Sequence, residues 1–226
     1  MTGQAVGAVQ PFRFHTSVVL EESTGLRAVT LPELVRILQT VPLSCVYHHT
    51  HHFLLQHHYL SPAPSNDFAY WVTEVLGEEP LGELLSSVDT MEFSTLHGLR
   101  RALVQVIEGY LTRNPTARFK FATEGEEFFF LKSILIVMPT PSVAATLEQF
   151  AEALQQVSIR SLYFHIFDAR LRLGSPTNDF ALWIGQQLRL ESLAEKMAKL
   201  DPYAHTLEGL RSMVLSLVRR QLDHHG

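Results

Sequence analysis

The densest chemistry in the chain lies in Tyr47-His48-His49-Thr50-His51-His52 and the His57-His58 pair that follows. At 100° per helical residue, His48, His51, His52 and His58 gather on one side, while His49 and His57 point elsewhere. Imidazoles three or four residues apart can converge on Zn²⁺ or another transition metal. His48, His51, His52 and His58 are therefore the candidate metal ligands, and Zn²⁺ or a similar ion the candidate cofactor. The same pattern also describes a polar, partly exposed helix face that holds no ion. A working metal shell would need a carboxylate or thiolate to complete it, or outer groups to orient the rings. No Glu lies within the cluster, so there is no HExxH arrangement.

A second constellation is Tyr47, His49, Asn66 and Asp67, the candidate ligand-binding residues. By helical phase His49 borders the apolar face of Val46 and Phe53. That suits a core histidine bonded to a carbonyl or carboxylate, or a residue facing a ligand in a pocket. Asn66 and Asp67 are both helix-capping types, and one cap suffices. The other is free to tie down the Ser61-to-Ser65 loop or to bond the histidine helix. Arg100 opens a long helix, where a cation is disfavoured by the dipole. Its expected partner is Asp89 or Glu83, and for the equivalent Arg211, Asp201 or Glu195. Phosphate loops, dinucleotide glycine fingerprints and GxSxG elbows are missing, and no Ser/His/Asp spacing stands out. No catalytic residue is assigned, and the reading leans away from an enzyme.

These residues recur. With a shift of 116, Phe12, Phe14 and Ser17 fall on Phe128, Phe130 and Ser133, and Tyr47 and His49 on Tyr163 and His165. The offset then shortens, and Asn66-Asp67-Phe68-Ala69 and Trp71 fall on Asn178-Asp179-Phe180-Ala181 and Trp183. The chain thus reads as an internal duplication. Copy two keeps the shared histidine but has Phe164, Phe167 and Asp168 where copy one has further histidines, which makes the extra histidines the natural seat of a distinct function.

Each copy must supply the elements that position these side chains. A β-like segment, Phe12 to Leu20 and its counterpart Phe128 to Val137, comes first. Helices then follow over about Leu31–Val41 with Thr30 as N-cap, Leu43–His58, from Asn66 or Asp67 onward, Leu81–Val88, and Thr95–Thr112. The aromatic alternation around Glu124-Gly125-Glu126 predicts a hairpin pairing Phe119–Phe121 with Phe128–Phe130. The expected fold is mainly α (α+β). It comprises two tandem helical repeats related by pseudo-two-fold symmetry, with a small antiparallel sheet from the matched FxF segments. The division is a flexible terminus 1–11, a His-rich repeat 12–115, a linker or hairpin strand 116–127, a second repeat 128–223 and a tail 224–226.

Composition sets outer bounds. A 226-residue chain, 46% apolar and 18% charged, has ample material for a core. Its formal charge of -5, without a Lys/Arg stripe, argues against nucleic acid and anionic membrane as partners. The N-terminal MTGQAVGAVQPF is no secretory signal, and the most apolar run, Phe128 to Met138, is interrupted by Lys132 and too short to span a bilayer. A cytoplasmic protein is expected, with a buried, inert Cys45.

The FxF opening, the Tyr-x-His-Thr-His stretch (Tyr47, His49, Thr50, His51), the Asn-Asp-Phe-Ala-x-Trp block and the closing Leu-Arg helix together resemble a bacterial family of unknown function whose units occur singly or in tandem. Copy two departs from that pattern, with Ile166 and Phe167 in place of Thr50 and His51. The resemblance implies a soluble protein and no established activity. The expected function is a noncatalytic ligand- or protein-binding module with a regulatory role. The alternative is a metal-dependent enzyme or metal sensor built on the copy-one histidines. The partner is an unknown protein or small molecule, and homo-oligomerisation is left open.

Overall fold

The structure is a computed structural model that describes residues 8–52, 66–200 and 206–223. The fold is mainly α, with one two-stranded antiparallel sheet of β1 (Phe12–Ala28) and β2 (Phe128–Ala144). Both strands are longer than their hydrophobic patterns. The polar half of β1 is held by side chains reaching its neighbour. Thr24 Oγ1 donates to Phe130 O at 2.6 Å, and Arg27 and Lys132 pair with Glu127 and Glu22 at 3.0 and 2.9 Å. Pro139 and Pro141 are tolerated within β2 because each strand of a two-stranded ribbon has an open edge that needs no N–H.

Two compact units emerge, Val19–Ile134 and Met1–Val18 with Leu135–Gly226. Their boundaries fall inside the strands, not between the sequence copies. Each unit accordingly combines the helices of one copy with the FxF segment of the other. The first is built on α1 (Leu31–Leu38), α2 (Leu43–Tyr47), α3 (Asp67–Glu74), α4 (Glu79–Ser86) and α5 (Leu96–Arg113). Its core contains Leu34, Leu38, Phe68, Leu81, Leu99 and Leu103 together with Phe128 and Phe130. The second is built on α6 (Leu147–Gln156), α7 (Ile159–Tyr163), α8 (Ala169–Leu173), α9 (Asp179–Gln187), α10 (Glu191–Ala198) and α11 (Leu207–Asp223). There Phe12 and Phe14 pack edge-on, stacked or tilted against Phe150 and Phe180, and Phe12 also packs against Trp183.

Local sequence accounts for most helix starts. Thr30 accepts from Glu33 N, and Glu33 reaches back to Val29 N at 2.8 Å; Thr146 and Gln149 repeat the arrangement, with Gln149 reaching Ala145 N at 2.8 Å. These are capping boxes in which the returning side chain reaches one residue further out. Gly82 of α4 lies so close to α3 that a Cβ there would fall 1.9 Å from Thr73 Oγ1. At the corresponding helix pair of the other unit the small residue has changed sides, with Gly185 on α9 facing Ala194 on α10.

Two expectations are corrected. The hairpin of Phe119–Phe121 with Phe128–Phe130 is not formed. Pro115–Phe119 is a 3₁₀ turn, and Phe121 makes only an isolated bridge to Thr30. The alternating aromatics mimic a strand, but Phe119 and Phe121 are 80% and 69% exposed, while Phe128 and Phe130 turn into the core. The helix expected over Leu43–His58 changes type at its middle. His48–His52 is a π-helical turn, and Phe164–Asp168 is another at the same place in the second unit. Residues 53–65, including His57 and His58, lie outside the described residues.

Candidate functional site

The wider π turn decides where the histidines go. All five residues from His48 to His52 are buried, so the exposed polar face is not what this sequence forms. Each ring has its own surroundings. His49 Nδ1 lies 2.7 Å from Asp67 Oδ2, and its Nε2 accepts from the backbone N–H of Leu131 at 3.0 Å. An accepting Nε2 carries no proton, so Nδ1 is the donor to Asp67. Both ring nitrogens are thereby committed. Thr50 donates its hydroxyl to Val46 O at 2.6 Å, so its oxygen accepts from His51 Nδ1 at 3.0 Å, and His51 stacks on Tyr47. Burial alone pushes the His51 imidazole down to about 4.

His48 and His52 form a separate group with Glu21 of β1. His52 Nε2 lies 3.3 Å from Glu21 Oε1, the His48 and His52 rings are 5.2 Å apart, and His48 Nδ1 is 3.0 Å from Ser133 Oγ. Burial, then the neighbouring His49 and His52, pushes His48 down to about 4. Of the four expected metal ligands, the fold therefore brings together His48 and His52, puts His51 in an aromatic stack, and leaves His58 outside the described residues. Glu21 gave no sequence signal, since it stands on a strand far upstream of the histidines.

The candidate ligand residues Tyr47, His49 and Asn66 are buried, and Asp67 is partly so. Asn66 caps α3 by accepting from Ala69 N at 2.9 Å and donates to Leu85 O at 3.0 Å; Asn178 does the same with Ala181 N and Met197 O, both at 2.9 Å. Asp67 and Asp179 are the partners of the histidine helices. The expected pairs of Arg100 with Asp89 or Glu83 and of Arg211 with Glu195 are corrected, while Asp201 lies outside the described residues and Arg211 pairs with Glu208 instead. Arg100 donates to Gln39 O and Val41 O, just past the end of α1, and Arg211 to Leu154 O and Val157 O at 2.6 and 2.7 Å, at the end of α6. Helix C-terminal carbonyls lack intrahelical donors, and a guanidinium fork supplies them.

A cleft lies in the other unit. His165 repeats the His49 geometry, with Nδ1 2.7 Å from Asp179 Oδ2 and Nε2 accepting from His15 N–H at 2.8 Å. Arg172 donates to the same Asp179 oxygen at 2.6 Å and lies over the Phe164 ring, 4.9 Å from its centroid. These side chains line a cleft of ≈ 460 Å³ whose walls also include Arg13, Trp183, Gln186 and Gln187. Burial pushes His165 down, against the pull of Asp179. The Asp179 carboxyl, although burial works the other way, is held below its usual range by hydrogen bonds from His165 and Arg172. Sequence reading missed Arg13, His15 and Arg172. The one available signal was that His15 and Leu131 stand one residue after matched FxF motifs.

Among the described residues no helix is long and apolar enough to cross a membrane. No curated protein matches the sequence. The chain is similar to a solved structure described as "The structure of OrfY from Thermoproteus tenax", at 30% identity and a TM-score of 0.81, with 95% of this chain and 96% of that one covered. Residues 9–219 match the model of DUF5752, described as a family of unknown function. That span takes in both FxF segments and both His–Asp pairs, and the chain belongs to the DUF5752 family.

Proposed function

We propose that the chain is a noncatalytic binding module and that it takes a small acidic ligand in the cleft formed by Arg13, His15, Phe164, Arg172 and Trp183. The observation that carries this reading is the hydrogen-bond state of His165. Its two nitrogens are engaged by Asp179 and by the His15 backbone, so the His–Asp pair in the cleft wall offers no free base. Beside the Asp179 carboxylate, which is taken up by His165 and Arg172, the walls offer donors: two guanidinium groups and the amides of Gln186 and Gln187, next to the apolar faces of Phe164 and Trp183. Its volume falls within the roughly 300–1,000 Å³ range of small-molecule sites, which favours a small ligand over a protein partner. Guanidinium forks match carboxylate and phosphate groups in shape as well as charge.

Trp183 supplies a direct readout. In protein labelled with 5-fluorotryptophan, titration with a panel of mono- and dicarboxylates and phosphate monoesters should shift the Trp183 fluorine resonance saturably and leave that of Trp71 in place. The double variant Arg13→Ala/Arg172→Ala should abolish the shift. If no member of the panel moves Trp183 at millimolar concentration, or the double variant responds like the parent, the cleft does not bind acidic ligands.

A further inference from the structure

We propose a divalent transition-metal site formed by Glu21, His48 and His52 in the Val19–Ile134 unit, independent of the cleft reading. One ligand atom from each of these residues lies within 4.8 Å of the other two. A tetrahedral ion with bonds of about 2.0–2.1 Å holds its ligand atoms roughly 3.4 Å apart, so the three side chains need close by at most about 1.4 Å around it. Two imidazoles and one carboxylate are a donor set suited to Zn²⁺ and its neighbours, and three protein ligands leave a coordination position for water or a small ligand.

Two features separate this trio from an accidental meeting of polar groups. The first is an outer partner: Ser133 Oγ stands 3.0 Å from His48 Nδ1. A proton on Nδ1 shared with that oxygen leaves the Nε2 lone pair for the ion, the arrangement by which metal-bound histidines are oriented. The second is the comparison within the chain. At the places equivalent to Glu21, His48 and His52 the other copy has Val137, Phe164 and Asp168, whereas the His–Asp pair is kept in both. The trio is therefore not something the fold requires. An overlapping trio, His48, His49 and Asp67, also comes within ligand distance. It is the weaker choice because His49 already uses both nitrogens, one on Asp67 and one on the Leu131 backbone.

The test uses the full chain, made without an affinity tag and stripped with chelator. Titration with ZnCl₂ by calorimetry should show one tight site per chain, and Co²⁺ should give the intense visible bands of a four-coordinate ion. Glu21→Gln, a change at an exposed carboxylate that does not threaten the core, should weaken Zn²⁺ binding about 10- to 100-fold, and Ser133→Ala about 10-fold. His52→Gln should abolish the Co²⁺ bands. If the parent chain binds no Zn²⁺ at micromolar concentration, the site does not exist. Equal affinity in Glu21→Gln and the parent would overturn the assignment equally, by placing the ion on other histidines such as His224 and His225.

Discussion

The backbone N–H of Leu131 donates to Nε2 of His49 at 3.0 Å, and the opposite edge of the same ring meets Asp67 at 2.7 Å. One imidazole thus ties the opening strand of the second copy to the helices of the first. His15 N–H, His165 and Asp179 form the same chain of bonds in the other unit. Breaking it should cost stability. Asp67→Ala is expected to lower the unfolding free energy by about 1–3 kcal/mol, the typical cost of stranding a buried donor. Asp67→Asn should recover part of that, because its carbonyl oxygen still accepts from His49 Nδ1. Denaturant titration of both variants is the check, and equal losses would mean the hydrogen bond is not what position 67 contributes.

Acid should destabilise the chain before its carboxylates titrate. The buried rings of His51 and His165 have folded-state values below those of the unfolded chain, near 6.5. As the pH falls through that value the unfolded state takes up protons that the folded state refuses. Stability is therefore complete above about 6.5 and lost on the way down. With His51 at about 4, its share of the loss at pH 5 is about 2 kcal/mol. Thermal unfolding of chelator-treated protein from pH 7.5 to 5 should show a falling Tm, and His165→Gln should flatten the slope.

Gly82→Ala should be harmful and repairable. The added methyl meets Thr73 Oγ1, and the clash should cost about 1–3 kcal/mol. Moving the small residue to the facing helix, as Gly185 and Ala194 have it in the other unit, points to the remedy. The double variant Gly82→Ala/Thr73→Gly should be more stable than Gly82→Ala alone by urea titration, although a helical Gly costs about 1 kcal/mol.

Arg211→Lys should behave as a severe change despite keeping the charge. The two carbonyls of Leu154 and Val157 are served by one guanidinium nitrogen while Nε holds Glu208 at 2.9 Å, and an ammonium cannot reproduce that fan of donors. A loss of about 1–2 kcal/mol in denaturant is expected. Glu208→Gln, which leaves the carbonyl bonds alone, should cost much less.

Helical phase and caps were legible because they are local. Thr30, Asn66 and Thr95 cap where their types say they should. The sheet of the two FxF segments was legible too, and what misled was an additional partner for Phe128 and Phe130. Their alternation is equally satisfied by a hairpin with Phe119 and Phe121, and local spacing does not exclude that extra strand. The π turns were hidden for a related reason. The spacing around His48–His52 fits an ordinary helix, and only the backbone of the folded chain shows the wider turn. Site chemistry suffered most. Glu21 joins the histidines, and Arg13 and His15 join Arg172, through strand placement that no spacing rule encodes.

The placement of the chain's crossings inside β1 and β2 also imposes a timetable on synthesis. The Val19–Ile134 unit has all its residues once position 134 has left the ribosome, and it can close while the rest is still being made. Phe12 and Phe14, translated before that unit, cannot meet Phe150, Phe180 and Trp183 until those are translated. Aromatic residues made before that unit are thus sheltered after it, and the second core is completed by a strand translated more than a hundred residues ahead of its helices.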